Sequence, residues 1–153
     1  MDKLTSDEIL QYCLENLSGT VFHSCYGEKC IFYNPENKLK HGIYVLTIKE
    51  KDGNNDKSSN LNREGIFRIN FGVTKNTFIN KFGFIPARPL KGNTVDMQYD
   101  FSTLNMLLPH PVYAWMAWVS ILNPDKNSFN NIKQFINESY EYAKEKYNKK
   151  VKV

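Results

Sequence analysis

The chain predicts an α+β fold of two layers: an antiparallel sheet with the N- and C-terminal helices packed on one face. Three observations carry that expectation. Amphipathic helical patterns stand at both ends of the chain. Strand-like segments follow one another without crossover helices, which points to antiparallel pairing. Each terminal helix also presents one apolar stripe that needs a surface to cover, and a sheet face supplies it. With 153 residues, the chain has enough length for one core and no room for a second full-sized one, so 1–153 reads as a single domain.

Thr5-Ser6-Asp7-Glu8 has the spacing of a capping box, and Ile9, Leu10, Cys13, Leu14 and Leu17 recur on one helical face behind it. Gly19 supplies the stop. Thr20 to Tyr26 and Cys30 to Tyr33 flank Gly27 as a short hairpin, and Gly42 to Ile48 is a buried third strand rich in β-branched residues. Residues 51–62 are almost wholly polar and read as a solvated, mobile loop. Ile66 to Val73 alternates most clearly, with Phe67, Ile69 and Phe71 on one side and Arg68 and Asn70 on the other. Thr74 then caps a short helix through Lys81, with Phe78 and Ile79 inward and Gly83 at its end.

Residues 84–111 form a long irregular segment bearing Pro86, Pro89, Pro109 and Pro111, with one helical turn around Thr103 to Leu107 capped by Asp100 or Ser102. Val112 to Leu122 reads as a core strand, most securely from Trp118 onward, and Asn123-Pro124-Asp125 breaks it. Ser128 is the expected cap of the last helix, whose apolar face is Ile132, Phe135, Ile136, Tyr140, Ala143 and Tyr147.

Composition excludes more than it assigns. A hydrophobic fraction of 41% and a charged fraction of 24% are those of an ordinary globular chain. The formal charge of +4 is mild, and its one cluster, the C-terminal lysines, complements a helix dipole. The most apolar stretch is about half of what a bilayer requires, so no membrane association is expected. Met1-Asp2-Lys3 runs directly into the first helix without a leader pattern, and the cysteines are unpatterned, which together predict a cytoplasmic protein with reduced thiols. No phosphate loop or nucleophile elbow occurs, and no cofactor is implied.

If Phe67, Ile69 and Phe71 face the helices, Arg68 and Asn70 lie on the opposite sheet face beside Trp118 and Ser120. The proline-bearing segment is expected to cover that face, bringing Asp100, His110 and Tyr113 near. Arg68, Asn70, Asp100, His110, Tyr113 and Trp118 would then line a pocket with a cation, a carboxylate, an imidazole and aromatic walls. The competing reading is structural: Arg68 pairs with Asp100, and His110 hydrogen-bonds locally to hold the loop. His23, Cys25 and Cys30 form the one metal-like cluster, but their spacing matches no standard zinc pattern and a fourth ligand is missing. Ordinary strand packing is the expectation there, with Cys25–Cys30 pairing left open.

Gly65-Ile66-Phe67-Arg68-Ile69-Asn70-Phe71-Gly72-Val73-Thr74 and Leu107-Leu108-Pro109-His110-Pro111-Val112-Tyr113 together resemble an uncharacterised bacterial family marked by F-R-[IL]-N-x-G-V and P-H-P-V-Y segments. That resemblance brings no activity with it. Trp118-Val119-Ser120 followed by a helix ending Glu138-Ser139-Tyr140-Glu141-Tyr142-Ala143 is similar, over about a third of the chain, to the YjbR-like (MmcQ-like) family. Its frataxin-like fold implies a sheet with two helices, and DNA binding has been proposed for it. The basic face that DNA binding requires is sparse in this chain. The resulting expectation is a cytoplasmic binding domain for a small anionic ligand or nucleic acid. The alternatives are an enzyme using His110 with Asp100 as an acid–base pair, and a protein-interaction module built on the lysine-rich last helix.

Overall fold

A computed structural model describes residues 3–151. Helix α1 spans Ser6–Asn16 and carries the expected capping box: the Glu8 amide donates to Thr5 Oγ1 at 3.1 Å, and the Thr5 amide donates to Glu8 Oε1 at 2.9 Å. Strands β1 (Thr20–Cys25) and β2 (Glu28–Tyr33) form a hairpin whose two turn residues, Tyr26 and Gly27, both have positive φ, at 52° and 77°. That turn matches the natural twist of paired strands. Strands β3 (Ile43–Lys49) and β4 (Arg68–Gly72) follow, then α2 (Lys75–Phe82), β5 (Leu108–Pro109), β6 (Trp118–Leu122) and α3 (Lys126–Val151). The strands make one open antiparallel sheet in the order β1-β2-β3-β4-β6-β5.

The helices and sheet share one apolar core. Ile9, Leu10 and Cys13 of α1 and Ile132, Ile136, Tyr140 and Ala143 of α3 pack with Ile31, Leu46, Ile48, Ile69, Phe71, Val119 and Ile121. The rings of Tyr12 and Phe129 meet edge to face, with centroids 5.2 Å apart, and join the two helices. The α+β expectation therefore holds, and the alternation read at Phe67 to Phe71 assigns the correct sides.

Several local expectations are corrected. Ile79 is exposed, and Phe78 with Phe82 carries the packing of α2. Helix α3 begins before Ser128, because Asp125 is the cap: its carboxylate accepts from the Ser128 amide at 2.8 Å. No helical turn forms at Thr103 to Leu107. The Asp100 carboxylate instead closes a tight turn on Ser102, and Asn105, at φ 60°, donates its amide to the Leu122 carbonyl at 2.6 Å.

Residues 112–117 are not strand. The His110 ring accepts the amides of Val112 and Tyr113, which removes them from any ladder, and a short 3-10 turn at Ala114–Met116 ends in Ala117 at φ 63°. Of the segment 84–111, His110 reaches Arg68, but the segment does not form the cover of the face bearing that arginine. Its Val95 and Phe101 enter the apolar core, Leu104 and Asn105 meet the end of β6 at Leu122, and its end joins the sheet as β5. Residues 51–62 cover that face instead. Ser59 and Leu61 are buried, so the expectation of a solvated loop fails there. Among the described residues, no helix is long and apolar enough to cross a membrane.

Candidate functional site

Arg68 leaves the sheet on the side away from the helices and is fully buried. A guanidinium out of water needs its donors satisfied and its charge paired. Nε donates to Asn70 Oδ1 at 2.6 Å, Nη1 to Asp56 Oδ1 and Ser59 Oγ at 2.9 Å each, and Nη2 to Asp56 Oδ2. Asn70 donates in turn to Thr47 Oγ1 on β3 at 3.0 Å. The Asp56 side chain is 16% exposed. Burial raises its carboxyl, but the hydrogen bonds and charge of Arg68 outweigh that and hold it below the ordinary value.

His110 stands beside this pair. Its Nδ1 accepts the amides of Val112 and Tyr113, both at 3.0 Å, so a neutral ring carries its proton on Nε2. Nε2 lies 3.4 Å from Arg68 Nη2, so the two donors face each other without bonding. Burial, then the Arg68 charge, push the imidazole well below its usual range, against an opposing pull from Asp56. The ring is a neutral acceptor that shapes the turn after β5.

The same sheet face carries a belt of rings. His23 and His41 approach Phe32 at 5.9 and 6.1 Å, Phe32 meets Tyr44 at 4.6 Å, Tyr44 meets Trp118 at 6.5 Å, and His110 meets Trp118 and Tyr113 at 6.4 and 5.1 Å. Gly72 makes room for it: a Cβ there would stand 3.0 Å from Trp118 Nε1. Tyr44 and Tyr113 are 39% and 47% exposed.

Around the end of the sheet, the polar loop bounds a groove of about 1000 Å³. Lys3 to Ser6 at the start of α1 form one wall, Glu50, Lys51 and Leu61 to Phe67 a second, and Leu104, Asn105 and Asn123 to Asp125 a third. The second and third walls are held by side-chain clamps. Asn123 accepts from the Phe67 amide at 3.0 Å and donates to the Gly65 carbonyl at 2.8 Å. Asn105 accepts from the Asp125 amide at 2.9 Å and donates to its carboxylate at 3.1 Å. Arg63 donates to the carbonyls of Asn60, Ser59 and Ser102 at 2.8, 3.1 and 3.1 Å. Lys51 and Glu64 lie exposed on the rim and make no ion pair among the described residues.

A family model for DUF6194, a family of unknown function, matches residues 4–152. The chain belongs to DUF6194. No curated protein and no solved structure matches this DUF6194 chain.

Of the residues singled out in the sequence, Arg68, Asn70 and His110 meet in the buried network, with Trp118 and Tyr113 on its flank. Asp100 does not join them. It is exposed, and its carboxylate is taken up by the amide and hydroxyl of Ser102, which hold its pKa below the usual value. The carboxylate partner of Arg68 is Asp56, so the acid–base pair of Asp100 with His110 is not assembled. The apolar face of α3 is buried, and Lys144 and Lys146 lie over Tyr140 and Tyr142, which leaves that helix only its polar side for a partner. Cys13, Cys25 and Cys30 are free, and burial pushes the Cys30 thiol up to about 12, with Glu28 and Cys25 adding to it. Among the described residues, no group of three His, Cys, Asp or Glu side chains is placed to hold a metal ion. Sequence reasoning missed Asp56, Ser59, Thr47 and the groove. A signal was present: a strand arginine facing away from the core needs a carboxylate, and the polar loop just before it carries Asp52, Asp56 and Glu64.

Proposed function

We propose that this DUF6194 chain is a non-catalytic binding domain that takes a small polar molecule with an anionic group in the groove at the sheet end. The observation that carries this is the groove itself: about 1000 Å³, with a polar wall held rigid from behind by the buried Arg68–Asp56 pair. Its size suits a small ligand, and a few fixed polar groups around apolar patches are what such sites use. Leu4, Leu61, Ile66 and Phe67 provide apolar surface, while Lys3 and Lys51 provide cationic side chains for the anion. Arg68, Asn70 and His110 then serve as positioning residues behind the wall and do not touch the ligand. This revises the pocket expected from sequence, because every donor of Arg68 that could meet an anion is already engaged or buried.

A second reading rests on the ring belt. Half-exposed Tyr44 and Tyr113 beside Trp118 offer stacking surface for unpaired bases. Arg68 on that face is already fully engaged, which ranks it behind the groove.

Thermal unfolding with inorganic phosphate, citrate, nucleoside monophosphates and a single-stranded oligonucleotide tests both. A small anion at many times its dissociation constant should raise the melting temperature. Lys51→Glu and Lys3→Glu should abolish that rise. A response only to the oligonucleotide, lost in Tyr44→Ala, would assign binding to the belt. No response to any probe, or a rise untouched by the lysine reversals, would refute the groove.

A further inference from the structure

The two edges of the sheet are finished differently. At one edge β5 is only Leu108–Pro109, and Pro109 and Pro111 lack amide donors there, which is how natural sheets blunt an edge. At the other edge β1 runs from Thr20 to Cys25 with no proline, no charged residue and no bulge against β2. The Asn34 amide donates to the Gly19 carbonyl at 3.0 Å, so Gly19, and with it Val21, His23 and Cys25, turn their backbone groups toward β2. Phe22 and Ser24 therefore direct their amides and carbonyls outward, and no other backbone group in the described structure takes them up. The Phe22 side chain on this edge is 42% exposed.

We propose that β1 pairs with β1 of a second copy of this chain, antiparallel across a two-fold axis, to form one sheet continuous through both protomers. A second copy fits for three reasons. Antiparallel pairing about a two-fold axis lets the outward amide and carbonyl of Phe22 exchange hydrogen bonds with those of Ser24 on the mate, and the reverse. The strand carries no charge, so self-pairing brings no like charges together. The exposed Phe22 side chain gains an apolar neighbour in its own counterpart, an aromatic cross-strand contact of the kind that stabilises sheets. The opposite edge, ended by proline, limits growth to a closed dimer.

Sedimentation equilibrium across the micromolar to submillimolar range tests this, using the full chain. The wild type should reach twice the monomer mass. Ser24→Pro removes an outward amide that β2 does not use and should raise the dimer dissociation constant by about tenfold or more. Phe22→Lys places a charge at the edge and should do the same. Circular dichroism of both variants should match the wild type; if Ser24→Pro unfolds, Phe22→Lys decides. A wild type that stays monomeric throughout overturns the proposal, as does a dimer whose constant Phe22→Lys leaves unchanged.

Discussion

The buried imidazole of His110 makes stability fall in mild acid, and the size of the fall follows from its surroundings. In the unfolded chain, a histidine takes up a proton near its ordinary value of about 6.5. In the folded chain the ring is buried against the Arg68 guanidinium, and its Nδ1 is occupied by two amides, so protonation is displaced well below that value. The unfolded state therefore binds more protons than the folded state at every pH between the two values. Stability is full above about 6.5 and drops by about 1.4 kcal/mol for each pH unit below it, about 2 kcal/mol by pH 5. Asp56 acts in the same direction but lower: a depressed carboxyl contributes fully above its unfolded value and loses that contribution as the pH falls through the acid range.

Urea unfolding at pH 7.5, 6 and 5 reads this directly. The comparison that isolates His110 is His110→Asn, whose side-chain oxygen can accept the same two amides without a titrating proton. Wild-type stability should fall by about one proton's worth more than the variant's between pH 6.5 and 5. Equal slopes for the two proteins would refute the reasoning. So would a His110 ring resonance, followed by NMR, that titrates near 6.5 in the folded protein.

Arg68→Met strands the Asp56 carboxylate and should cost about 3–5 kcal/mol in urea unfolding, toward the lower figure because Asp56 keeps some solvent contact. Arg68→Met with Asp56→Leu should recover part of that loss, and no recovery would mean that the pair is not the main contact. Gly72→Ala drives a methyl into the Trp118 indole and should cost about 1–3 kcal/mol while shifting tryptophan emission to longer wavelength. An unchanged emission spectrum would show that the ring does not lie across Gly72.

The legible parts of the fold are those written in local spacing. Thr5 with Glu8, Thr74 before α2, and the alternation through Phe67 to Phe71 each depend on residues within a turn or a pleat, and each forms as read. The side of the sheet to which Arg68 belongs was legible for the same reason. Its partner was not. Asp52, Asp56, Glu64 and Asp100 are chemically alike, and only the path of the loop decides which carboxylate arrives. Residues 112–117 misled in a different way: Val112 and Tyr113 favour strands, but a nearby imidazole took their amides, and such a competition has no periodic signature.

The buried arginine is best understood through the loop it holds. Leu61 is the apolar anchor of the 51–65 segment, and burying one leucine is worth only about 1.5–3 kcal/mol. Ordering that many residues costs more than one such contact returns, at about 1–2 kcal/mol of backbone entropy each. Two arginines add further ties to the loop. Arg68 fastens Asp56 and Ser59 to the sheet, while Arg63 reaches across to the Ser102 carbonyl and ties the loop to the segment before β5. A buried ion pair adds little net stability over a well-packed apolar core, but it selects one arrangement among many, because any other leaves a charge unpaired. The wall of the groove is thus specified by the two polar networks that meet at Ser59, which is why a domain with an ordinary apolar core on one sheet face carries an arginine at the centre of the other.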